Sequence, residues 1–361
     1  MRRIVRKNIL RVKPYLPGKP INEVKRELGL ERVIKLASNE NPYGPSYKVI
    51  KAITQTAKDI NRYPDGSCYY LRQELAKNLG VAENQLIFGN GSDEIIVLAT
   101  RAFTQEGDEV IMARPSFLIY EIASKISGAV IKFVPLKDFR YDLEGMIQRI
   151  SPKTKIIFIG NPDNPAGTYI NKNQVVNFLK RVRRNILVFF DEAYFEFVKE
   201  KDYPDTIELL KKYHNLVITR TFSKMYGLAG LRVGYGIANA EVISILDRIR
   251  EPFNVNSLAQ AAALACLRDK PYYTGVLKIL SQGRKFLYEN IAKLGLTFVD
   301  SVTNFVLIDL KQDSFKVAQD LLKKGVIVRD MSFWGLDTYI RVTIGTPQEN
   351  KLFISALKEV L

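Results

Sequence analysis

Residues 156–194 read IIFIGNPDNPAGTYINKNQVVNFLKRVRRNILVFFDEAY, a short apolar run, a polar turn, an amphipathic segment and a second apolar run. The runs IIFIG and ILVFF lack the regular polar alternation of a half-exposed strand, which indicates strands buried on both faces. Between them, the segment 173–184 predicts a helix. Its apolar residues recur on one side at helical spacing, namely Val175, Val176, Phe178, Leu179 and Val182. A strand, a helix and a strand in this order predict a parallel α/β unit.

The same alternation extends from about Leu86 to Ala238. The other apolar runs are LIF (86–88), VIMA (110–113), VIKFV (130–134) and LVIT (216–219). After about residue 271 a long basic helix is followed by mixed strands and helices, which indicates a second domain. We therefore expect an N-terminal arm (1–35), a large domain (36–270) with a mostly parallel sheet sandwiched by helices, and a small α+β domain (271–361) that packs with the arm.

Composition argues against several classes of function. The net charge of +16 comes from basic residues spread along the chain, without zinc-finger or RNP spacing, so we expect no nucleic-acid partner. We expect no membrane span, because no apolar run approaches 18 residues. Cys68 and Cys266 have no metal-binding spacing, which fits a reducing, cytoplasmic compartment and no bound metal. His214 is the single histidine and precedes a strand, which argues against a histidine-based triad.

Polar residues follow four of the predicted strands. IIFIG runs into Asn161–Gly167, ILVFF into Asp191, LVIT into a loop that contains Lys224, and LIF into Gly89–Glu94. Ligands of open α/β sheets bind outside the carboxyl ends of the strands. An amide, a carboxylate, an amine and a glycine-rich turn should therefore converge on one small-molecule site.

These residue types suit an aldehyde that also carries a phosphate and a pyridine ring. A buried lysine of lowered pKa, here Lys224, forms an imine with an aldehyde. Ser223 and Arg232 flank it and suit a phosphate, as does the predicted helix start at Gly91–Asp93, although Ser92 or Asp93 could be a plain N-cap. Asp191 should be buried and would pair with a protonated pyridine nitrogen, unless it is a structural turn residue. Pyridoxal 5'-phosphate (PLP) has all three features.

The chain resembles the fold-type I PLP-dependent aminotransferases, with an aspartate aminotransferase-like fold, and most closely the histidinol-phosphate aminotransferases. The resemblance covers nearly the whole chain in order. Its motifs are PYLPGKP (14–20), LASNENPYGPS (36–46), RYPDGS (62–67), GNGSDEII (89–96), NPDNPAGT (161–168), DEAYFEF (191–197), TFSKMYGLAGLRVGYGIA (221–238) and YIRVTIGT (339–346).

The resemblance implies roles by position, and the site residues divide into three groups. For catalysis it implies Lys224 as the Schiff-base lysine, with Asp191 and Tyr194. For cofactor binding it implies Gly91, Ser92, Asp93, Asn164, Ser223 and Arg232, with Phe117 stacked on the ring where many relatives have tyrosine. Tyr63 would reach the phosphate from a second subunit, which implies a homodimer with shared active sites. For the substrate it implies Arg341, Asn164, Arg329 and Tyr15, the last two at a distal phosphate.

The expected reaction is the exchange of an amino group between histidinol phosphate and 2-oxoglutarate. Aromatic amino-acid aminotransferases and threonine-phosphate decarboxylase share the same motifs and stay open as alternatives.

Overall fold

The computed structural model of the chain describes residues 4–15 and 18–361. The strands are β1 (Ile34–Lys35), β2 (Leu86–Gly89), β3 (Glu109–Arg114), β4 (Val130–Pro135), β5 (Thr154–Gly160), β6 (Leu187–Asp191), β7 (Leu216–Thr221), β8 (Gly234–Ala238), β9 (Thr297–Val299), β10 (Phe305–Asp309), β11 (Val326–Ile327), β12 (Arg329–Asp330) and β13 (Tyr339–Thr343). The helices are α1 (Ile21–Leu28), α2 (Tyr47–Thr56), α3 (Tyr69–Leu79), α4 (Ser92–Phe103), α5 (Leu118–Ser127), α6 (Leu143–Gln148), α7 (Lys172–Arg181), α8 (Thr206–Leu210), α9 (Ala240–Asp247), α10 (Ser257–Leu267), α11 (Lys270–Lys293), α12 (Ser314–Lys323) and α13 (Pro347–Val360).

The large sheet has the order β2-β8-β7-β6-β5-β3-β4. β8 pairs antiparallel with both of its neighbours, and the other pairs are parallel. The predicted mostly parallel α/β sheet is therefore confirmed, and all six predicted apolar runs form its strands. β8 was not among the predicted strands. Because β2 and β7 both run opposite to β8, their carboxyl ends lie at the same edge as those of β5 and β6.

Helices cover both faces of this sheet, and alternate side chains of each central strand enter different apolar cores. Leu187 and Phe189 of β6 pack into one core, whereas Val188 and Phe190 pack into the other. The two-sided burial explains why the central strands read as unbroken apolar runs. The predicted helix at 173–184 is α7, which buries Val175, Phe178 and Leu179.

The prediction of two-sided burial is wrong for β4. This strand lies at the outer edge of the sheet and pairs with β3 alone. Val134 is its buried residue, and Val130 is exposed. Lys132 forms an ion pair with Glu109 of β3. An edge strand with a charged side chain resists pairing with other chains, so apolar content alone overestimated its burial.

A second sheet, of order β12-β13-β10-β9, is antiparallel throughout. The helices α11, α12 and α13 accompany it, as the alternation after residue 271 predicts. The short strand β1 pairs in parallel with β11, so the segment before the large sheet is joined to the C-terminal part of the chain. Helix α1 lies in the N-terminal arm and buries Val24.

Candidate active site

A cavity of about 320 Å³ lies at the edge where β2, β5, β6 and β7 end. Its volume is in the range of small-molecule sites. The predicted site residues that line it are Tyr15, Ser92, Asp93, Phe117, Asn164, Asp191, Tyr194, Ser223, Lys224, Arg232, Arg329 and Arg341. Gly91, which precedes the lining residue Ser92, and Tyr63 do not line the cavity.

Lys224 follows β7, and its side chain enters this cavity. Its Nζ donates a hydrogen bond to the carbonyl oxygen of Ser38 at 3.1 Å and lies 5.9 Å from the centre of the Tyr194 ring. Burial, with the nearby Arg341 guanidinium, lowers the pKa of Lys224 from 10.5 to about 8. The amine is therefore far more often neutral at physiological pH than an exposed lysine, which is what a nucleophile or base requires.

Asp191 ends β6 at the floor of the cavity. Tyr120 donates a hydrogen bond to its Oδ2 at 2.7 Å, and the amide of Ala193 donates to its Oδ1 at 3.1 Å. Burial raises the pKa of Asp191 to about 6, although these hydrogen bonds oppose the shift. Within residues 4–15 and 18–361 the carboxylate has no ion-pair partner, so a cation at the cavity floor would be favourable.

Glu192, the next residue, points away from the cavity. It forms a buried ion pair with Arg220 at 2.8 Å and accepts a hydrogen bond from Thr206 at 2.7 Å. Adjacent residues of a strand face opposite ways, so Asp191 and Glu192 do not form an acid–base pair. His214 precedes a strand, β7, as predicted, and it is exposed beside Asn239 at the edge opposite the cavity.

An anion-binding region forms one wall of the cavity. Gly91 precedes α4 with φ of +85°, and an added Cβ there would collide with the guanidinium of Arg232. Arg232 donates to the hydroxyl of Ser223 at 3.5 Å and lies 3.3 Å from the carboxylate of Asp93. The N-terminus of α4, a hydroxyl and a guanidinium thus converge, and each of them favours a phosphate.

Two arginines from the smaller sheet complete the site. Arg341 of β13 donates a short hydrogen bond to Asn164 and a second, of 3.0 Å, to the carbonyl oxygen of Ala37. Its buried Nε has no hydrogen-bond partner within the described residues. Arg329 of β12 lies against the ring of Trp334, whose indole N–H donates to the carbonyl oxygen of Ser116 at 3.1 Å.

Tyr63 is 84% exposed in the single chain and stacks on Phe253, with 4.8 Å between ring centres. An exposed aromatic pair of this kind is more typical of a contact surface than of a monomer surface. Tyr63 does not reach the cavity of its own chain. Its predicted role in a neighbouring subunit therefore stays a prediction.

Among the residues that line the cavity and have no predicted role are Asn39, Tyr120 and Trp334. Asn39 donates to the hydroxyl of Tyr194 at 2.8 Å. Asn39 falls in the motif LASNENPYGPS, which was recognised without a role. Tyr120 and Trp334 gave no usable signal, because a single aromatic residue in a helix or loop is ordinarily a packing residue.

The donors and acceptors present fit PLP. Lys224 is a buried amine of lowered pKa, Asp191 is a buried carboxylate without a cation, and the wall at Gly91 and Arg232 suits a dianion. Within the described part of the chain no group of His, Cys, Asp and Glu could hold a metal ion, and no helix is long and apolar enough to cross a membrane.

The fold and the site together define a class of α/β enzymes with a buried lysine in the active site. Similarity to known proteins identifies the family. The model of the family "Aminotransferase class I and II" matches residues 31–357, and the chain belongs to that family. It is 47% identical over 357 residues to a histidinol-phosphate aminotransferase of Moorella thermoacetica, covering 99% of this chain and 92% of the relative. It is 48% identical to another from Caldicellulosiruptor saccharolyticus, with 99% of both chains covered.

A solved structure agrees with these relatives. The histidinol-phosphate aminotransferase of Sinorhizobium meliloti in complex with pyridoxal-5'-phosphate superposes with a TM-score of 0.91 at 28% identity, covering 99% of this chain and 97% of that one. The expected aspartate aminotransferase-like fold and the resemblance to this family are both confirmed.

Proposed function

We propose that this chain is a PLP-dependent aminotransferase that interconverts histidinol phosphate and 2-oxoglutarate with imidazole-acetol phosphate and glutamate, a step of L-histidine biosynthesis. The observation that carries the proposal is the buried amine of Lys224, of lowered pKa, in one cavity with Asp191 and an anion-binding wall. Its full-length similarity to several histidinol-phosphate aminotransferases supports the choice of substrate.

The cofactor would be held on three sides. Lys224 would bind its aldehyde carbon covalently, Asp191 would face the pyridine nitrogen, and Asn164 and Tyr194 would hydrogen-bond the phenolic oxygen of the ring. Phe117 would lie against the ring face, since stacking requires only the π-face and no hydroxyl. The phosphate would lie among Ser92, Asp93, Ser223 and Arg232, next to Gly91.

PLP bound in this way would supply an electron sink for the electrons released when the Cα–H bond of the amino donor breaks. Lys224, once released, would take the proton from Cα and deliver it to the 4′ carbon of the cofactor. The lowered pKa of Lys224 suits this work, because the neutral amine is the form that accepts a proton. Asp191, kept anionic by its hydrogen bonds, would keep the ring nitrogen protonated.

The two arginines would select the substrates. Arg341 would bind the α-carboxylate of glutamate or 2-oxoglutarate, with Asn164 beside it. Arg329 and Tyr15 lie where this cavity meets a second one of about 760 Å³, so they can contact the distal phosphate of a longer substrate. Residues of the smaller sheet would thus recognise the substrate, whereas residues at the edge of the large sheet would bind the cofactor.

We further propose a homodimer with shared active sites, in the cytoplasm. Large exposed apolar side chains concentrate between residues 47 and 70. Four of them are about two-thirds exposed or more, namely Tyr47, Ile60, Tyr63 and Tyr70. Exposed apolar clusters of this kind mark protein–protein contacts. Tyr63 of each chain would contact the cofactor phosphate of the other.

A substrate panel on the holoenzyme tests the function. We expect a visible absorption band of the lysine-bound cofactor that disappears fastest with histidinol phosphate, compared with phenylalanine and threonine phosphate. The band should be absent in Lys224→Ala and retained in Lys285→Ala, a control at an exposed lysine. Faster turnover of phenylalanine would point to an aromatic aminotransferase, and CO₂ release from threonine phosphate to a decarboxylase. A band that persists in Lys224→Ala would contradict the site.

A further inference from the structure

Asn39 is a buried residue that no part of the proposed mechanism uses. It is 1% exposed, has φ of +56°, and lies in the segment that leads from β1 towards α2. Its Nδ2 donates to the hydroxyl oxygen of Tyr194 at 2.8 Å. Within the described residues this is the only hydrogen bond of the Tyr194 hydroxyl.

The orientation of the Asn39 amide follows from its other neighbour, Thr343 at the end of β13. The backbone N–H of Asn39 donates to Thr343 Oγ1 at 2.9 Å, and the hydroxyl of Thr343 donates to Asn39 Oδ1 at 3.3 Å. A flipped amide would present a second donor to Thr343 and leave its hydroxyl proton without this acceptor. The observed orientation therefore places Oδ1 at Thr343 and Nδ2 at Tyr194.

This orientation decides what the Tyr194 hydroxyl can do. An amide nitrogen donates and does not accept hydrogen bonds, so the phenol oxygen must be the acceptor in this contact. The phenol proton is consequently directed elsewhere, and the hydroxyl lies at the cavity wall. Burial raises the pKa of Tyr194 to about 12, so the phenol keeps that proton at neutral pH.

We infer that Asn39 is a positioning residue that turns the phenol proton of Tyr194 into the cavity, towards the phenolic oxygen of the cofactor ring. The inference rests on the proposed function, which supplies that acceptor. Asn304, immediately before β10, donates to the carbonyl oxygen of Asn39 at 2.9 Å. Asn39 is thus held by Thr343 at the end of β13 and by Asn304 just before β10, and the direction of the Tyr194 proton depends on where the smaller sheet lies.

Thr343→Val tests the inference without touching the cavity. Thr343 does not line the cavity, and valine keeps its shape but removes the hydroxyl that fixes the amide. The amide can then flip, and Tyr194 can donate to Oδ1 instead. Donation to the ring oxygen withdraws negative charge from it and favours loss of the imine proton, so losing the donation raises the pH at which the cofactor absorbance titrates. We expect a rise of up to about one unit, in the direction of the rise in Tyr194→Phe.

Asn39→Asp gives a second and stronger variant, because a carboxylate only accepts and would draw the phenol proton to itself. Its new charge also raises the titration midpoint directly. The two causes are separated by repeating both substitutions in the Tyr194→Phe background. If Asn39 acts through the phenol proton, the shift of Thr343→Val disappears there, and the shift of Asn39→Asp shrinks to its charge effect.

The readout is the absorbance of the substrate-free holoenzyme as a function of pH, with thermal midpoints recorded to establish that each variant is folded. Shifts of equal size in both backgrounds, or no shift in a folded Thr343→Val, would overturn the inference. A wild-type protein without any lysine-bound cofactor band would instead refute the proposed function, so the two failures are distinguishable.

Discussion

Asp191 and Glu192 are consecutive acidic residues with different electrostatic surroundings. Glu192 is neutralised inside the protein by Arg220, whereas Asp191 has hydrogen-bond donors but no cation among the described residues. Its closest donor, Tyr120, is itself held by stacking on Phe158, with 4.8 Å between ring centres and 3° between their planes. The phenol of Tyr120 is therefore a rigid support for a negative charge at the cavity floor.

Tyr120→Phe should remove the hydrogen bond to Asp191 and leave the stacking on Phe158 intact. Burial raises the pKa of Asp191 to about 6 in the folded apoprotein, above its ordinary value of 3.8. A raised pKa contributes stability below about pH 4, which is lost as the pH rises through about 6. Without the Tyr120 hydrogen bond the pKa of Asp191 rises further, and the loss extends to higher pH.

We therefore expect the free energy of unfolding of apo Tyr120→Phe to fall below that of the wild type by about 2 kcal/mol more at pH 8 than at pH 5. Urea unfolding of both apoproteins at the two pH values measures the difference. An equal deficit at both pH values would mean that Tyr120 contributes packing alone.

At the scale of secondary structure, the strands of the large sheet differ in how well the sequence predicts them. All six apolar runs predicted strands, and the argument from burial on both faces holds for the inner strands, as in β5 and β6, but not for the edge strand β4. β8 was missed because its sequence, GYGIA, contains two glycines. An added Cβ on Gly234 would lie 2.5 Å from the backbone nitrogen of Ser92, so close packing selects glycine there and weakens the apolar pattern.

The residues of the site also divide into those that the sequence predicts and those that it does not. Asp191 ends β6, and Asn164 and Lys224 lie in the loops that follow β5 and β7, so their convergence could be argued from topology. Asn39 and Trp334 reach the cavity from segments that only the three-dimensional arrangement brings near. Contacts such as that between Asn39 and Thr343, 304 positions apart, leave no local signal in the sequence.

Gly91→Ala tests the start of helix α4. The new methyl group would meet the Arg232 guanidinium and push it out of the anion-binding wall, so PLP affinity should fall tenfold or more, corresponding to about 1.4 kcal/mol. Gly107→Ala is a matched control, since Gly107 has φ of +88° and no atom within 4 Å of the added Cβ.

Both variants should lose stability through backbone strain, by about 1–3 kcal/mol. Only Gly91→Ala should lose PLP affinity, which titration of the apoproteins followed by absorbance measures. Equal affinity in the two variants would show that Arg232 does not bind the phosphate.

At the scale of the whole molecule, the cavity is built from both sheets and, in our proposal, from a second chain. Arg341 links β13 to Asn164 beyond the end of β5, and β1 joins the N-terminal segment to β11. The cofactor and the substrate would thus be bound between the two sheets, whose relative position must be maintained. Tyr63 extends this dependence to the neighbouring subunit.

Mixing two inactive variants tests the shared site. Lys224→Ala and Tyr63→Ala should each be poorly active as homodimers. After unfolding and refolding together in equal amounts, half of the dimers are mixed, and each has one complete site, so roughly a quarter of wild-type activity should return. Refolding each variant alone provides the control. If the mixture stays as inactive as its components, Tyr63 does not serve the other subunit.

Trp334 has a practical consequence beyond its contacts with Arg329 and Ser116. It is the single tryptophan of the chain and lies in the wall of the cavity. Indole fluorescence of this protein therefore comes from one side chain, which lies between the guanidinium of Arg329 in the smaller sheet and the backbone of the loop that follows β3. The unlabelled enzyme thus carries a built-in optical probe of ligand entry and of any movement between its two sheets.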